Sequence, residues 1–203
     1  FKSFFNNEEI KKNHLKIVNF AKKIKKHNRV LNAHNEISGI YKLYRNKKLV
    51  NFAEYLLENK INGLQSELFI NPPGSKGHPP HQDDFFLGTG IGNSLNVWIP
   101  LVKTNKLNGT LNFYKKKKKI KIDKTLNIKS LNGKKINLTK YLKYKKTINC
   151  KVGDAVFISN SIFHGSHDNK SKNKRFVVAF GFIKKGKKFH KGKTAKRKIT
   201  KLN

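Results

Sequence analysis

Apolar residues change their spacing part-way along this chain. In the first part they recur at helical intervals; afterwards they come in short runs broken by Gly, Pro, Asn and Ser. From Glu8 to His27, Ile10, Ile17, Val18, Ala21 and Ile24 form one stripe with Lys on the other side, which predicts an amphipathic helix. Asn6 or Asn7 is placed to cap it, and Glu8 and Glu9 fall in the turn where the helix dipole favours acid. Lys48 to Lys60 predicts a second helix on the stripe Leu49, Phe52, Ala53, Leu56 and Leu57. Strands are expected at Leu64–Asn71, Gln82–Leu87, Leu95–Val102, Thr110–Tyr114, Ala155–Ser159 and Arg175–Ile183, with a Pro- and Gly-rich loop from Asn71 to Gly77. Helices first and many short strands afterwards describe a mainly β protein with flanking helices. Its core is a jelly-roll-like antiparallel sandwich or barrel.

Length and composition refine this picture. At 203 residues with 36% hydrophobic residues, the chain is long enough for one domain with a real core and too apolar to be disordered throughout. The domain is expected to span residues 1–183, with helices over 8–60 and the β core over 64–183. Residues 184–203 form a basic, flexible tail, and Lys115 to Lys151 is a Lys-rich stretch suited to a hairpin or a mobile cover. The net charge is +35, from 46 Lys and Arg against 11 acidic residues. A charge of this size suits an anionic small-molecule substrate or a polyanion such as nucleic acid. Lys, Asn, Ile and Phe share AT-rich codons, so part of the excess reflects coding bias. Only Arg29, Arg45, Arg175 and Arg197 are arginines. Specific readers of nucleic acid lean on arginine, so a basic binding scaffold without catalysis is the alternative reading. Where lysine is the default, each arginine marks a place that needs a planar, permanently charged fork.

Cys150 is the single cysteine, which excludes an intrachain disulfide and a Cys-based zinc site and fits a reducing, cytoplasmic setting. No apolar run has the length of a membrane span. The chain begins at Phe1 and contains no Met, as expected of a fragment or processed product.

The chemistry concentrates in Pro79-Pro80-His81-Gln82-Asp83-Asp84-Phe85-Phe86. Residues i and i+2 of a strand share a face, so an extended segment would aim His81 and Asp83 into one pocket. Phe163-His164-Gly165-Ser166 offers a third donor. Two His and one carboxylate on one side of a metal leave its other positions open, the arrangement suited to non-haem Fe(II). Asp84, His78 and His167 also carry donor atoms, but strand periodicity turns Asp84 and His78 away from the face of His81 and separates His167 from His164. Arg175 heads the apolar strand Phe176-Val177-Val178-Ala179-Phe180 and needs an anionic partner there. A dicarboxylate such as 2-oxoglutarate would supply one, with the Ser166 hydroxyl as a second contact. Trp98, the only Trp, sits in an apolar strand, and its indole N–H could also donate to a cosubstrate carboxylate.

Asn71-Pro72-Pro73-Gly74, Pro80-His81-Gln82-Asp83, Asn96-Val97-Trp98-Ile99-Pro100-Leu101, Asn108-Gly109-Thr110-Leu111, Gly153-Asp154 and His164-Gly165-Ser166 through Asn169-Lys170-Ser171 to Arg175 follow one another in a familiar order. Over residues 1–183 the chain resembles the phytanoyl-CoA dioxygenase family. The resemblance implies a double-stranded β-helix of the cupin-like jelly-roll type that binds Fe(II) and 2-oxoglutarate and uses O2. It implies that His81, Asp83 and His164 ligate the metal. Arg175 and Ser166 would hold the distal carboxylate of 2-oxoglutarate, with Trp98 near its metal-proximal end and Gln65 near a polar pocket position. Related halogenases lack the carboxylate ligand, so Asp83 implies hydroxylation, with release of succinate and CO2. The chain departs from the family after its Asn-Gly strand, where Phe113-Tyr114 runs into Lys115 to Lys119.

Overall fold

The computed structural model describes residues 1–23, 28–114, 121–124, 127 and 145–202. Helix α1 (Asn7–Lys23) is followed by strand β1 (Asn28–Leu31), a 3-10 turn (Ala33–Asn35) and helices α2 (Ser38–Tyr44) and α3 (Lys47–Leu57). Then come β2 (Ile61–Asn71), α4 (Asp83–Leu87), β3 (Ser94–Pro100), β4 (Leu111–Tyr114), β5 (Lys145–Thr147), β6 (Val156–Ser159), β7 (Phe163–Ser166) and β8 (Arg175–Lys184). The strands form two sheets, in the orders β1-β2-β8-β3-β6 and β5-β4-β7, with every pairing antiparallel. This is the expected jelly roll, mainly β with flanking helices.

Period-two alternation in the larger sheet sets the layers. Leu68 and Ile70 of β2, Leu95, Val97 and Ile99 of β3, and Phe176, Val178, Phe180 and Phe182 of β8 share one core with Ile17 of α1, Ile40 of α2 and Leu49 of α3. The alternate residues face the other way and line a cavity: Gln65, Glu67 and Phe69 of β2, Asn96 and Trp98 of β3, and Arg175, Ala179 and Gly181 of β8. The central strand β8 is therefore apolar on its helix side and small or charged on its cavity side. Burying each fully enclosed Leu, Ile or Phe contributes about 1.5–3 kcal/mol, so the helix-side layer anchors the fold and frees the other face for chemistry.

The helix stripes hold in part: Leu49, Ala53 and Leu57 of α3 are buried, whereas Leu56, expected on the same stripe, is exposed. Ile17, Val18 and Ala21 are buried in α1, and residues 24–27, in the expected extension to His27, lie outside the described residues. α3 starts one residue early because the Asn46 side chain accepts a hydrogen bond from the Leu49 amide at 3.0 Å. α2, β1 and β7 are additional elements, too short for a period to register. Most of Lys115 to Lys151 lies outside the described residues; within it, β5 pairs with β4. Among the described residues no helix is long and apolar enough to cross a membrane.

Two expectations are corrected. Gln82–Leu87 is not a strand: residues 83–87 form α4. Asp83 and Asp84 occupy its first turn, where backbone N–H groups and the dipole favour acid, and Gly88 ends it with φ 61°. Nor does the basic C-terminal segment lie loose. Lys185 donates from its amide to the Lys60 carbonyl at 2.8 Å, and Thr200 and Gly63 exchange backbone hydrogen bonds, both at 2.9 Å. Leu202 is buried in the main core. Lysine dominates the composition of this segment, but a few well-spaced residues (Ala195, Arg197, Leu202) are enough to seat it.

Candidate active site

Prolines at 79 and 80 hold the chain extended as it reaches His81. There it meets β7: the His81 amide donates to the His164 carbonyl at 2.8 Å, and the His164 amide returns a bond at 2.9 Å. This isolated bridge sets the two imidazole rings 4.7 Å apart between centroids. Gly165 is required for it. A Cβ on Gly165 would stand 2.8 Å from the His78 carbonyl oxygen and 3.1 Å from the Pro80 nitrogen. The chain then turns into α4, and the first helical residue, Asp83, swings its carboxylate to both rings. Oδ1 lies 3.2 Å from His81 Nε2 and Oδ2 lies 3.5 Å from His164 Nε2. The three residues thus converge, but through a bridge and a helical turn rather than through one strand face.

Each donor is oriented by a partner behind it. His81 Nδ1 lies 2.8 Å from the Pro79 carbonyl and His164 Nδ1 lies 3.0 Å from the Ile162 carbonyl. An Nδ1–H donated to these oxygens turns both Nε2 atoms toward Asp83, where each could ligate a metal once it carries no proton. Asn96 on β3 donates from Nδ2 to Asp83 Oδ2 at 2.7 Å. Burial would push the Asp83 carboxyl up, but His164, His81 and Asn96 outweigh it and hold the group well below its ordinary range. Asp83 is therefore held ionised, the form in which a carboxylate could bind a metal. Burial lowers His164, whereas in His81 the hydrogen bond and charge of Asp83 overcome burial and raise it. Asp84 has a different job. Its Oδ1 accepts from the Thr89 amide, the Thr89 hydroxyl and the Gly90 amide, which secures the end of α4.

His81, Asp83 and His164 open onto a cavity of about 750 Å³ that also receives Arg175, Ser166, Trp98 and Gln65. Arg175 is 2% exposed, and among the described residues its Nε has no hydrogen-bond partner. Burial alone draws its guanidinium down to about 10. A buried guanidinium without an anion costs several kcal/mol, so the site is built to receive one. Ser166 Oγ accepts from the His78 amide at 2.8 Å and keeps its own hydroxyl proton to donate. Burial, followed by the charges of His81, Arg29 and Arg175, pushes the His78 imidazole down to about 3, so it stays neutral beside the donors. Gln65 sits away from Arg175, bonded through Nε2 to Glu67 and through Oε1 to Arg197. Two His and a carboxylate with open positions, beside an unmatched buried arginine, fit Fe(II) and a dicarboxylate cosubstrate.

Asn96, Arg29, Glu67 and Arg197 line this cavity as well, although the sequence did not single them out as site residues. Arginine scarcity was the available signal for two of them, since three of the chain's four arginines reach this one cavity.

Fold and site together define a non-haem iron oxygenase dependent on 2-oxoglutarate. Residues 3–177 match the model of the phytanoyl-CoA dioxygenase (PhyH) family. The chain belongs to that family. Solved structures share its fold at low identity. The non-haem alpha-ketoglutarate-dependent epimerase SnoN from nogalamycin biosynthesis superposes with a TM-score of 0.74 at 15% identity, covering 90% of this chain and 76% of SnoN. HygX from Streptomyces hygroscopicus, solved with nickel and 2-oxoglutarate, gives 0.71 at 11% identity, covering 92% and 82%. EctD from S. alaskensis, solved with 2-oxoglutarate and 5-hydroxyectoine, gives 0.69 at 14% identity, covering 92% and 71%. No curated protein matches the chain in sequence. The family is one of enzymes, and the alternative of a basic nucleic-acid scaffold without chemistry gains no support.

Proposed function

We propose that this protein hydroxylates a small organic substrate, with Fe(II) held by His81, Asp83 and His164 and 2-oxoglutarate held by Arg175, Ser166 and Trp98. One observation carries the assignment. The donor atoms of His81, Asp83 and His164 lie within 4.8 Å of one another, on the cavity that also buries the unmatched Arg175. When bound, the iron and cosubstrate supply an oxidation in which O2 is consumed, 2-oxoglutarate becomes succinate and CO2, and one oxygen atom passes to substrate.

The chain's own residues supply the rest. The carbonyls of Pro79 and Ile162 fix both imidazole tautomers, and Asn96 keeps Asp83 turned toward them. Arg175 receives the distal carboxylate as a fork, and Ser166 donates its hydroxyl beside it. The apolar walls of Trp98, Leu111 and Ile158 exclude water from that end. Asp83 leaves no position for a halide, so oxygen insertion is the outcome this donor set favours.

Anaerobic Fe(II) plus 2-oxoglutarate should give a weak metal-to-ligand charge-transfer band in the visible. His81→Ala should abolish it through loss of iron, and Arg175→Gln should weaken cosubstrate binding while iron binding persists. If the band is absent from wild-type protein, or His81→Ala binds iron unchanged, the assignment fails.

A further inference from the structure

The cavity has a second cationic end. Arg29 on β1 and Arg197 on the C-terminal segment both face it, on the side of β2 that carries Gln65 and Glu67. Arg29 Nη2 donates to Glu67 Oε1 at 2.9 Å, Gln65 Nε2 donates to the same oxygen at 3.1 Å, and Arg197 Nε donates to Gln65 Oε1. Arg197 Nη1 is held by the His190 carbonyl at 3.0 Å. Its seat depends on Gly192, at φ 72°, where a Cβ would stand 2.7 Å from Nη1. Among the described residues, the acidic residues lining the cavity are Glu67 and Asp83, against Arg29, Arg175, Arg197 and Lys193. Asp83 serves the metal and Arg175 the cosubstrate. What is left is one carboxylate among two guanidiniums and an ammonium, an excess of positive charge lining the cavity, with Arg197 buried and Arg29 and Lys193 exposed.

We propose that Arg29 and Arg197 form an oxyanion subsite for the substrate, so that the molecule oxidised carries a carboxylate or a phosphate. This rests on the iron and 2-oxoglutarate reading above, which takes Arg175 for the cosubstrate. An arginine kept 7% exposed with its Nε and Nη1 already committed presents its remaining donors in a fixed direction. That is the preorganisation a bidentate oxyanion contact needs. Arg29 is the more exposed partner, its side chain 41% exposed and its guanidinium 5.8 Å over the Phe69 ring. Phe86, Leu87 and Leu31 line the same cavity and suit an apolar body attached to the anion. Placing Arg197 on residues 185–202 makes that segment part of the binding site.

The test uses the 203-residue chain saturated with Fe(II) and 2-oxoglutarate under nitrogen, so that Arg175 is occupied. Hexanoate, hexyl phosphate and neutral hexanamide are titrated by calorimetry. At least one of the two anions should bind about tenfold or more tighter than hexanamide, as expected of one charge-assisted pair, and which one does so separates carboxylate from phosphate. Arg197→Gln should erase that preference while the charge-transfer band persists, and Arg29→Gln should reduce it. Arg197→Lys should restore only part, keeping the charge and losing the fork. Equal binding of all three probes to wild-type protein overturns the proposal, as does a preference that survives in both glutamine variants with the band intact. Absence of the band from wild-type protein is a different failure: it removes the iron reading, and this subsite with it.

Discussion

At the scale of single residues, the site depends on partners one step behind the donors. Asn96 is the clearest. Its amide fixes one oxygen of Asp83 at 2.7 Å, which leaves the carboxylate a single orientation toward both imidazoles. Replacing such a supporting residue typically costs about 10–100-fold in metal affinity. Asn96→Ala should therefore weaken Fe(II) binding by about that factor with the fold retained, measured by titration followed in the charge-transfer band. Unchanged affinity would mean that His81 and His164 orient Asp83 by themselves. His81, Asp83, His164 and Arg175 were legible in the sequence because each is a chemically unusual residue next to a turn or at the head of a strand. Asn96 was not, because an asparagine in an alternating strand carries no sign of which neighbour it faces. Asp83 and Asp84 are adjacent and chemically alike. Only the helical turn separates a carboxylate aimed at the imidazoles from one closing the loop on Thr89 and Gly90.

Among the elements, the long strands announced themselves and the short ones did not. β2, β3 and β8 are long enough for alternation to repeat, and their expected limits hold within a few residues. α4 has five residues, less than two turns, so no helical period can show. Phe85 and Phe86 gave the segment a strand's composition, while the Asp pair and Gly88 decided otherwise. β7 has four residues, and its place is fixed by pairing with β4 and with His81, contacts distant in sequence. The contact between His78–His81 and β7 is so close that Gly165 admits no side chain. Gly165→Ala should force these segments apart and separate the two imidazoles, lowering Fe(II) affinity about tenfold or more while the helix-side core stays folded. Calorimetric iron binding alongside circular dichroism checks this, and an alanine variant that binds iron normally would show that the bridge gives way without moving the rings.

For the molecule as a whole, a charge of +35 gives each acidic residue unusual weight. Asp154 ties the N-terminal segment to the turn before β6, accepting from the Ser3 amide at 2.8 Å, the Lys151 amide at 2.8 Å and Lys2 Nζ at 3.1 Å. Burial would raise its carboxyl, but the Lys151 and Ser3 amides and Lys2 outweigh it and hold it below the ordinary value. A depressed carboxyl stabilises the fold above its unfolded pKa, near 3.9, and loses that contribution as pH falls through the lower folded value, so Asp154→Asn should cost about 1–3 kcal/mol at neutral pH and progressively less below about pH 4. Urea unfolding of both proteins across that range reads the difference, and a cost independent of pH would assign the effect to packing. The proposed metal ligands have a consequence at this scale too. His164 belongs to the smaller sheet and His81 extends it by one bridge, whereas Asp83 is held through Asn96 to β3 of the larger sheet. Iron held by these three residues would be a clasp across the seam between the two sheets. A metal bound there would fasten the two sheets together and a chelator would release them, so the stability of this enzyme should rise and fall with the free iron around it.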